Sequence, residues 1–177
     1  MVKFTSNQKW YQKKKGFNLK LEGWITMLKE NKTEDKSCLF YVSDYHFEMI
    51  ALPYMKEKIE NNNQVIVMTQ ENLEDSMKHL LDKVNLDSDD KKKIEKINWK
   101  EKSVEEISEI DTLNNKVVFV KGTEKYIKNV NQKINEVSNV QNLQIIDCYD
   151  VNNVDESIID ITKDYNSILS TSGLKNL

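Results

Sequence analysis

The amino-acid sequence predicts an α/β domain with a mainly parallel central sheet flanked by helices. Three observations carry that expectation. Four short apolar runs, Cys38 to Val42, Val65 to Met68, Val117 to Val120 and Leu143 to Tyr149, are bounded by polar residues and lack the strict alternation of a half-exposed strand. Segments of helical period separate and follow them, and alternating strand and helix is the pattern of a parallel sheet covered on both faces. The chain has 177 residues, 38% of them hydrophobic, which is long enough for one core without disulfides or a structural metal.

The elements follow in order. Asn18 to Lys29 carries Leu19, Leu21, Trp24, Ile25 and Leu28 at mainly helical spacing and reads as a short introductory helix. The first strand is Cys38 to Val42. Ser43 or Asp44 caps the next helix, whose Phe47, Ile50, Ala51, Tyr54, Met55 and Ile59 keep a 3.6-residue period, with Pro53 expected to kink or interrupt it. Asn61-Asn62-Asn63 closes that helix before the second strand, Val65 to Met68. Leu73, Met77, Leu80, Leu81 and Val84 line a further helix, and Asp87 to Asp90 starts the one running through Ile94. Ile97-Asn98-Trp99 reads as a weak strand and Val104 to Ile110 as a weak helix. After the third buried run at Val117, the segment from Glu124 to Val137 sets Tyr126, Ile127, Val130, Ile134 and Val137 on one face. The fourth run at Leu143 precedes a final helix opened by Asn153 or Asp155, with inner face Ile158, Ile161, Tyr165, Ile168 and Leu169 and a stop at Gly173.

Composition excludes several functions. All 26 basic residues are lysine, so the bidentate guanidinium contacts of arginine fingers and of guanine readout are missing. The four glycines, Gly16, Gly23, Gly122 and Gly173, cannot spell GxxxxGK[ST] or GxGxxG, which removes the usual nucleotide cradles. Cys38 and Cys148 are too few for a disulfide framework and read as reduced cytosolic thiols. Without an apolar leader or an 18-residue apolar stretch, the expected location is the cytoplasm, with no membrane partner.

Charge divides the chain. The first 20 residues hold six lysines and no acid, against 20 lysines and 29 acids in the other 157. Residues 1–19 are therefore expected to form a basic arm, and residues 20–177 a single α/β domain. Nucleic acid is not an expected partner except through Lys13, Lys14 and Lys15, set among Trp10, Tyr11 and Phe17: a solvated arm is the favoured reading, and the acidic body opposes a broad footprint.

In open parallel sheets, ligands sit beyond the carboxyl ends of the strands. That rule nominates Tyr41, Ser43, Asp44 and His46 after the first strand and Thr69 after the second. It adds Lys121, Gly122 and Glu124 after the third, and Cys148, Tyr149 and Asp150 after the fourth, with Asp147 bordering the same crevice. Each of these residue types also serves turns and caps. Neither a metal nor a cofactor is expected: Asp44, His46 and Glu48 would point in different directions from a helix, and no zinc spacing surrounds the cysteines. No catalytic residue is assigned, although an enzyme using His46, Asp44, Glu124 or Cys148 is the alternative to a binding module.

Several of these segments together resemble the MEDS domain, the methanogen and methylotroph DcmR sensory domain. Cys38-Leu39-Phe40-Tyr41 is similar to its opening Cys-x-x-Tyr strand, and Phe47 to Met68 to the following helix and strand. Gly122-Thr123-Glu124 resembles its Gly-x-x-Glu-like segment and Cys148-Tyr149-Asp150 its Cys-x-Tyr-Asp-like strand end. The resemblance spans roughly residues 20 to 173. It departs from the family at Lys36 or Ser37 and at Asp164-Tyr165, where many members carry a histidine and a His-Pro. The resemblance implies a RecA-like core without ATPase motifs, acting non-catalytically in signal transduction or transcription control. Its implied partners are a small organic ligand, a kinase or a transcription factor, with a homodimer also open.

Overall fold

The computed structural model describes residues 35–107, 115–137 and 143–177. The expected basic arm, the introductory helix over Asn18 to Lys29 and the end of the weak helix toward Ile110 lie outside these residues.

Six strands form one sheet. They are β1 (Asp35–Tyr41), β2 (Gln64–Thr69), β3 (Lys116–Lys121), β4 (Leu143–Asp150), β5 (Ser167–Ser170) and β6 (Gly173–Asn176). Their spatial order is β2-β3-β4-β1-β5-β6, all pairs parallel except the β5-β6 hairpin. This is the mainly parallel α/β sheet that the four apolar runs predict, consistent with the RecA-like class, with β1 between β4 and β5. The helices are α1 (Asp44–Glu60), α2 (Glu74–Lys83), α3 (Ser88–Glu95), α4 (Glu124–Val137) and the short α5 (Ile158–Thr162), with a 3-10 turn at Val104–Glu106.

Alternation along each strand builds two cores. Leu39, Val67, Phe119 and Ile146 point to one face, where they pack with Phe47 and Met55 of α1, Met77 and Leu81 of α2, Ile94 of α3, and Trp99. Cys38, Val118, Val120 and Ile145 point to the other, against Ile127, Val130 and Ile134 of α4 and Ile161 of α5. Burial on both sides is why these strands read as continuous apolar runs.

Local chemistry sets the boundaries. Ser43 caps α1 by accepting the His46 amide at 3.2 Å. At the other end, Asn63 N–H donates to the Lys58 carbonyl and Asn62 N–H to that of Ile59, with Asn62 at φ 58°, a Schellman closure. Pro53 does not interrupt α1, which is continuous over 17 residues. Its missing N–H leaves the Met49 carbonyl without its helical donor, at a position where both residues are exposed.

Two expectations are corrected. Ile97-Asn98-Trp99 is not a strand but an irregular segment that seats Trp99 in the core, its indole N–H donating to the Ile94 carbonyl at 3.0 Å. The long final helix is also absent: it ends at Thr162, and Ile168 and Leu169 belong to β5, where they pair with Cys38 and Leu39. Ile158, Ile161, Tyr165, Ile168 and Leu169 satisfy a helical period, but β1 has a free edge beside β4, and pairing there overrides local propensity. Gly173 opens β6 at φ 92° rather than stopping a helix, in a backbone region that favours glycine.

Candidate functional site

At the carboxyl ends of the strands, α1 leaves β1 toward one face of the sheet and the connection after β4 leaves toward the other. A ligand crevice is expected at that divergence. Here the chain's own polar groups close it. Val151 N–H donates to the Tyr41 carbonyl at 2.9 Å, and Asn152 Nδ2 to the Val42 carbonyl at 3.2 Å. Asp150 is turned into the same loop, accepting from Asn152 N–H at 2.9 Å and Asn153 Nδ2 at 2.7 Å.

Three amides of the β1-α1 junction are also engaged within the chain. Val42 N–H donates to His46 Nδ1 at 3.3 Å, His46 N–H to Ser43 Oγ, and Phe47 N–H to the Ser43 carbonyl at 3.0 Å. A phosphate cradle needs such amides free to point at the anion. His46 and Ser43 instead serve the cap, with no Ser-His hydrogen bond of the kind nucleophilic catalysis requires.

Lys121 is the electrostatic centre of this end. Its side chain is 3% exposed, and its ammonium lies 3.0 Å from Asp44 Oδ1 and 2.9 Å from Glu71 Oε2. It also sits 5.1 Å from the centroid of the Tyr41 ring and 5.8 Å from that of Phe47. Burial acts to lower its pKa, but the hydrogen bonds it donates to Glu71 and Asp44 and the neighbouring Tyr41 outweigh it, and the net shift is upward. Burial pushes the Tyr41 hydroxyl up to about 12. Tyr41, Ser43, Asp44, His46 and Lys121 are therefore neighbours, as the strand-end rule expects.

The other nominated residues have separate duties. Thr69 is buried and makes a local turn, its hydroxyl donating to the Glu71 carbonyl at 3.0 Å and accepting the Glu71 amide at 3.2 Å. At Gly122 an added Cβ would lie 2.5 Å from Gln70 Oε1 and 2.7 Å from a Tyr126 ring carbon, so close approach explains the glycine. Gln70 Oε1 in turn accepts the Thr123 amide at 2.6 Å. Glu124 holds the loop after β4 by accepting the Asp155 amide at 2.8 Å. Cys148 is fully buried, its thiol near the Ile146 carbonyl of its own strand, and burial raises its pKa well above the usual thiol value. Such a thiol is inert.

A second polar cluster lies on the opposite face. Asp147 sits within β4 opposite Cys38 rather than at the strand-end crevice, and is fully buried. Tyr149 and Tyr165 hydroxyls are 2.6 Å apart, Tyr165 donates to Asp147 Oδ2 at 2.7 Å, and Asn131 Nδ2 reaches both carboxylate oxygens at 2.9 Å. Lys36 Nζ lies 3.5 Å from Asp147 Oδ2 and 5.2 Å from the centroid of the Tyr165 ring. Burial raises the Asp147 pKa, with Lys36, Tyr165 and Asn131 opposing the shift. Beside this cluster opens a groove of about 600 Å³, lined by Lys36, Asn131, Gln132, Asp147, Tyr149 and Tyr165 among others.

The strand-end rule overlooks this groove because it lies on a sheet face. The signal is present in the sequence all the same: Asp147 is a lone acid inside an apolar run, and Asn131 stands on the apolar stripe of α4. A buried charge or amide requires partners. Among the described residues, no group of three or more His, Cys, Asp or Glu is placed to hold a metal ion, and no helix is long and apolar enough to cross a membrane. Comparison with protein-family models, with curated proteins and with solved structures finds no match for this chain.

Proposed function

We propose that this chain is a non-catalytic sensory or regulatory domain of the MEDS kind, working in the cytoplasm in signal transduction or transcription control. It binds a small organic molecule, a regulatory protein such as a kinase or transcription factor, or both. The observation that carries the reading is the use of the strand-end groups for structure: the Val42, His46 and Phe47 amides are all satisfied within the chain. Lys121 is likewise neutralised by Asp44 and Glu71. With these groups committed within the chain, the described strand ends do not offer them for phosphoryl transfer, which depends on positioned cations and free amides around the transferred group. The resemblance at Cys38 to Tyr41 and at Cys148 to Asp150 favours a sensor over an enzyme on the same scaffold.

Native mass spectrometry of the purified protein beside a denatured control tests this, together with a nucleoside triphosphate hydrolysis assay. The expected result is a retained small molecule that is released on denaturation, with no hydrolysis above buffer. Hydrolysis that disappears in Asp44→Asn or His46→Ala would overturn the reading in favour of the enzyme.

A further inference from the structure

We propose that the groove beside Asp147 is a binding site for small primary alkylammonium compounds, whose ammonium group takes the place of the Lys36 ammonium between the Asp147 carboxylate and the Tyr165 ring. The inference rests on the sensory reading and names the ligand class of that sensor.

The groups at the groove floor call for hydrogen-bond donors. Tyr165 donates its proton to Asp147 and Tyr149 donates to Tyr165, so both hydroxyls present their remaining lone pairs. Asn131 is 8% exposed and spends its amide hydrogens on the Ile127 carbonyl and on Asp147, which leaves Oδ1 buried with no hydrogen-bond partner. An orphaned acceptor beside a buried carboxylate is costly unless a donor fills the gap. An anion would find a carboxylate and lone pairs, and is disfavoured.

The cluster already holds a primary alkylammonium. Lys36 places Nζ near both the carboxylate and an aromatic face, the pairing that recognises organic ammonium ions. Its contact with Asp147 is long, 3.5 Å, and its side chain is 29% exposed. Lys36 is thus a loosely held occupant with a flexible stem that can swing into water. The groove volume of about 600 Å³ lies within the range of small-molecule sites.

The test is titration of the full chain with n-propylammonium at constant ionic strength, followed by calorimetry and by the NMR signal of the Asn131 side-chain amide. Tetramethylammonium, which has the same charge and no N–H donor, is the control. Saturable one-to-one binding with movement of the Asn131 signal is expected. Lys36→Met is expected to tighten it about tenfold by removing the tethered competitor. Asp147→Asn, which keeps the shape and loses the charge, is expected to abolish it. Equal binding of tetramethylammonium, or unchanged binding in Asp147→Asn, overturns the proposal. So does the absence of saturable binding in both wild type and Lys36→Met. A different molecule retained in native mass spectra would then leave the sensory reading standing while this assignment falls.

Discussion

Lys121 offers an asymmetric perturbation. Its ammonium is buried, but the partner carboxylates of Asp44 and Glu71 are 56% and 65% exposed. Lys121→Met leaves two acids that water can solvate, and the lost half-screened pairs are worth about 1 kcal/mol or less each, offset by better packing against Tyr41 and Phe47. Asp44→Asn with Glu71→Gln instead strands a buried cation without a counter-charge, which costs about 3–5 kcal/mol. With a urea slope of about 2 kcal/mol/M for a chain of this size, the double variant should lower the midpoint by about 2 M and Lys121→Met by about 0.5 M or less. The linkage sign supports neutral pH for the assay. Because the folded-state pKa of Lys121 is raised, its stabilisation is fully present below the unfolded value of 10.5 and is lost only as pH rises through the higher folded one. Equilibrium urea unfolding followed by far-ultraviolet circular dichroism reads both shifts. A Lys121→Met loss equal to or larger than that of the acid double variant would refute the reasoning.

Further outcomes follow from the same geometry. Gly122→Ala should destabilise the protein by about 1–3 kcal/mol in thermal unfolding through contact with Gln70 and Tyr126, and Gln70→Ala in that background should recover part of the loss. Cys38, with its pKa pushed up to about 11, and Cys148, raised well above 9.0, should both resist a disulfide thiol reagent in the native state and both react in urea. The folded-state pKa of Asp147 is raised, so the wild type should lose stability as pH rises above the unfolded value of 3.8. Urea midpoints should accordingly show Asp147→Asn gaining on the wild type as pH rises from 3.8.

Strands β1 to β4 are legible in the sequence because burial on both faces leaves little room for polar residues, and runs such as Val117 to Val120 have few other uses. Strand β5 is not. Ile168 and Leu169 continue the spacing of Ile158 and Ile161, and only the open edge of β1 decides that they pair as a strand. The candidate site divides in the same way. Position alone placed Tyr41, Asp44, His46 and Lys121 together, since the carboxyl ends of parallel strands converge. It did not reveal that the Val151 and Asn152 contacts close the crevice, because hydrogen bonds between loops depend on strand order. The groove escaped for a further reason. Lys36, Asn131, Asp147 and Tyr165 come from four separate segments, brought together by the pairing of β1 with β4 and β5.

The central claim is that the Val42, His46 and Phe47 amides of the β1-α1 junction are committed within the chain and not offered to a phosphate. Backbone amide NMR during titration with magnesium ATP tests it directly, at Val42, His46 and Phe47. The account predicts that these signals stay in place through saturating nucleotide. Saturable movement of the three together would contradict it and return the chain to the nucleotide-binding members of its fold class.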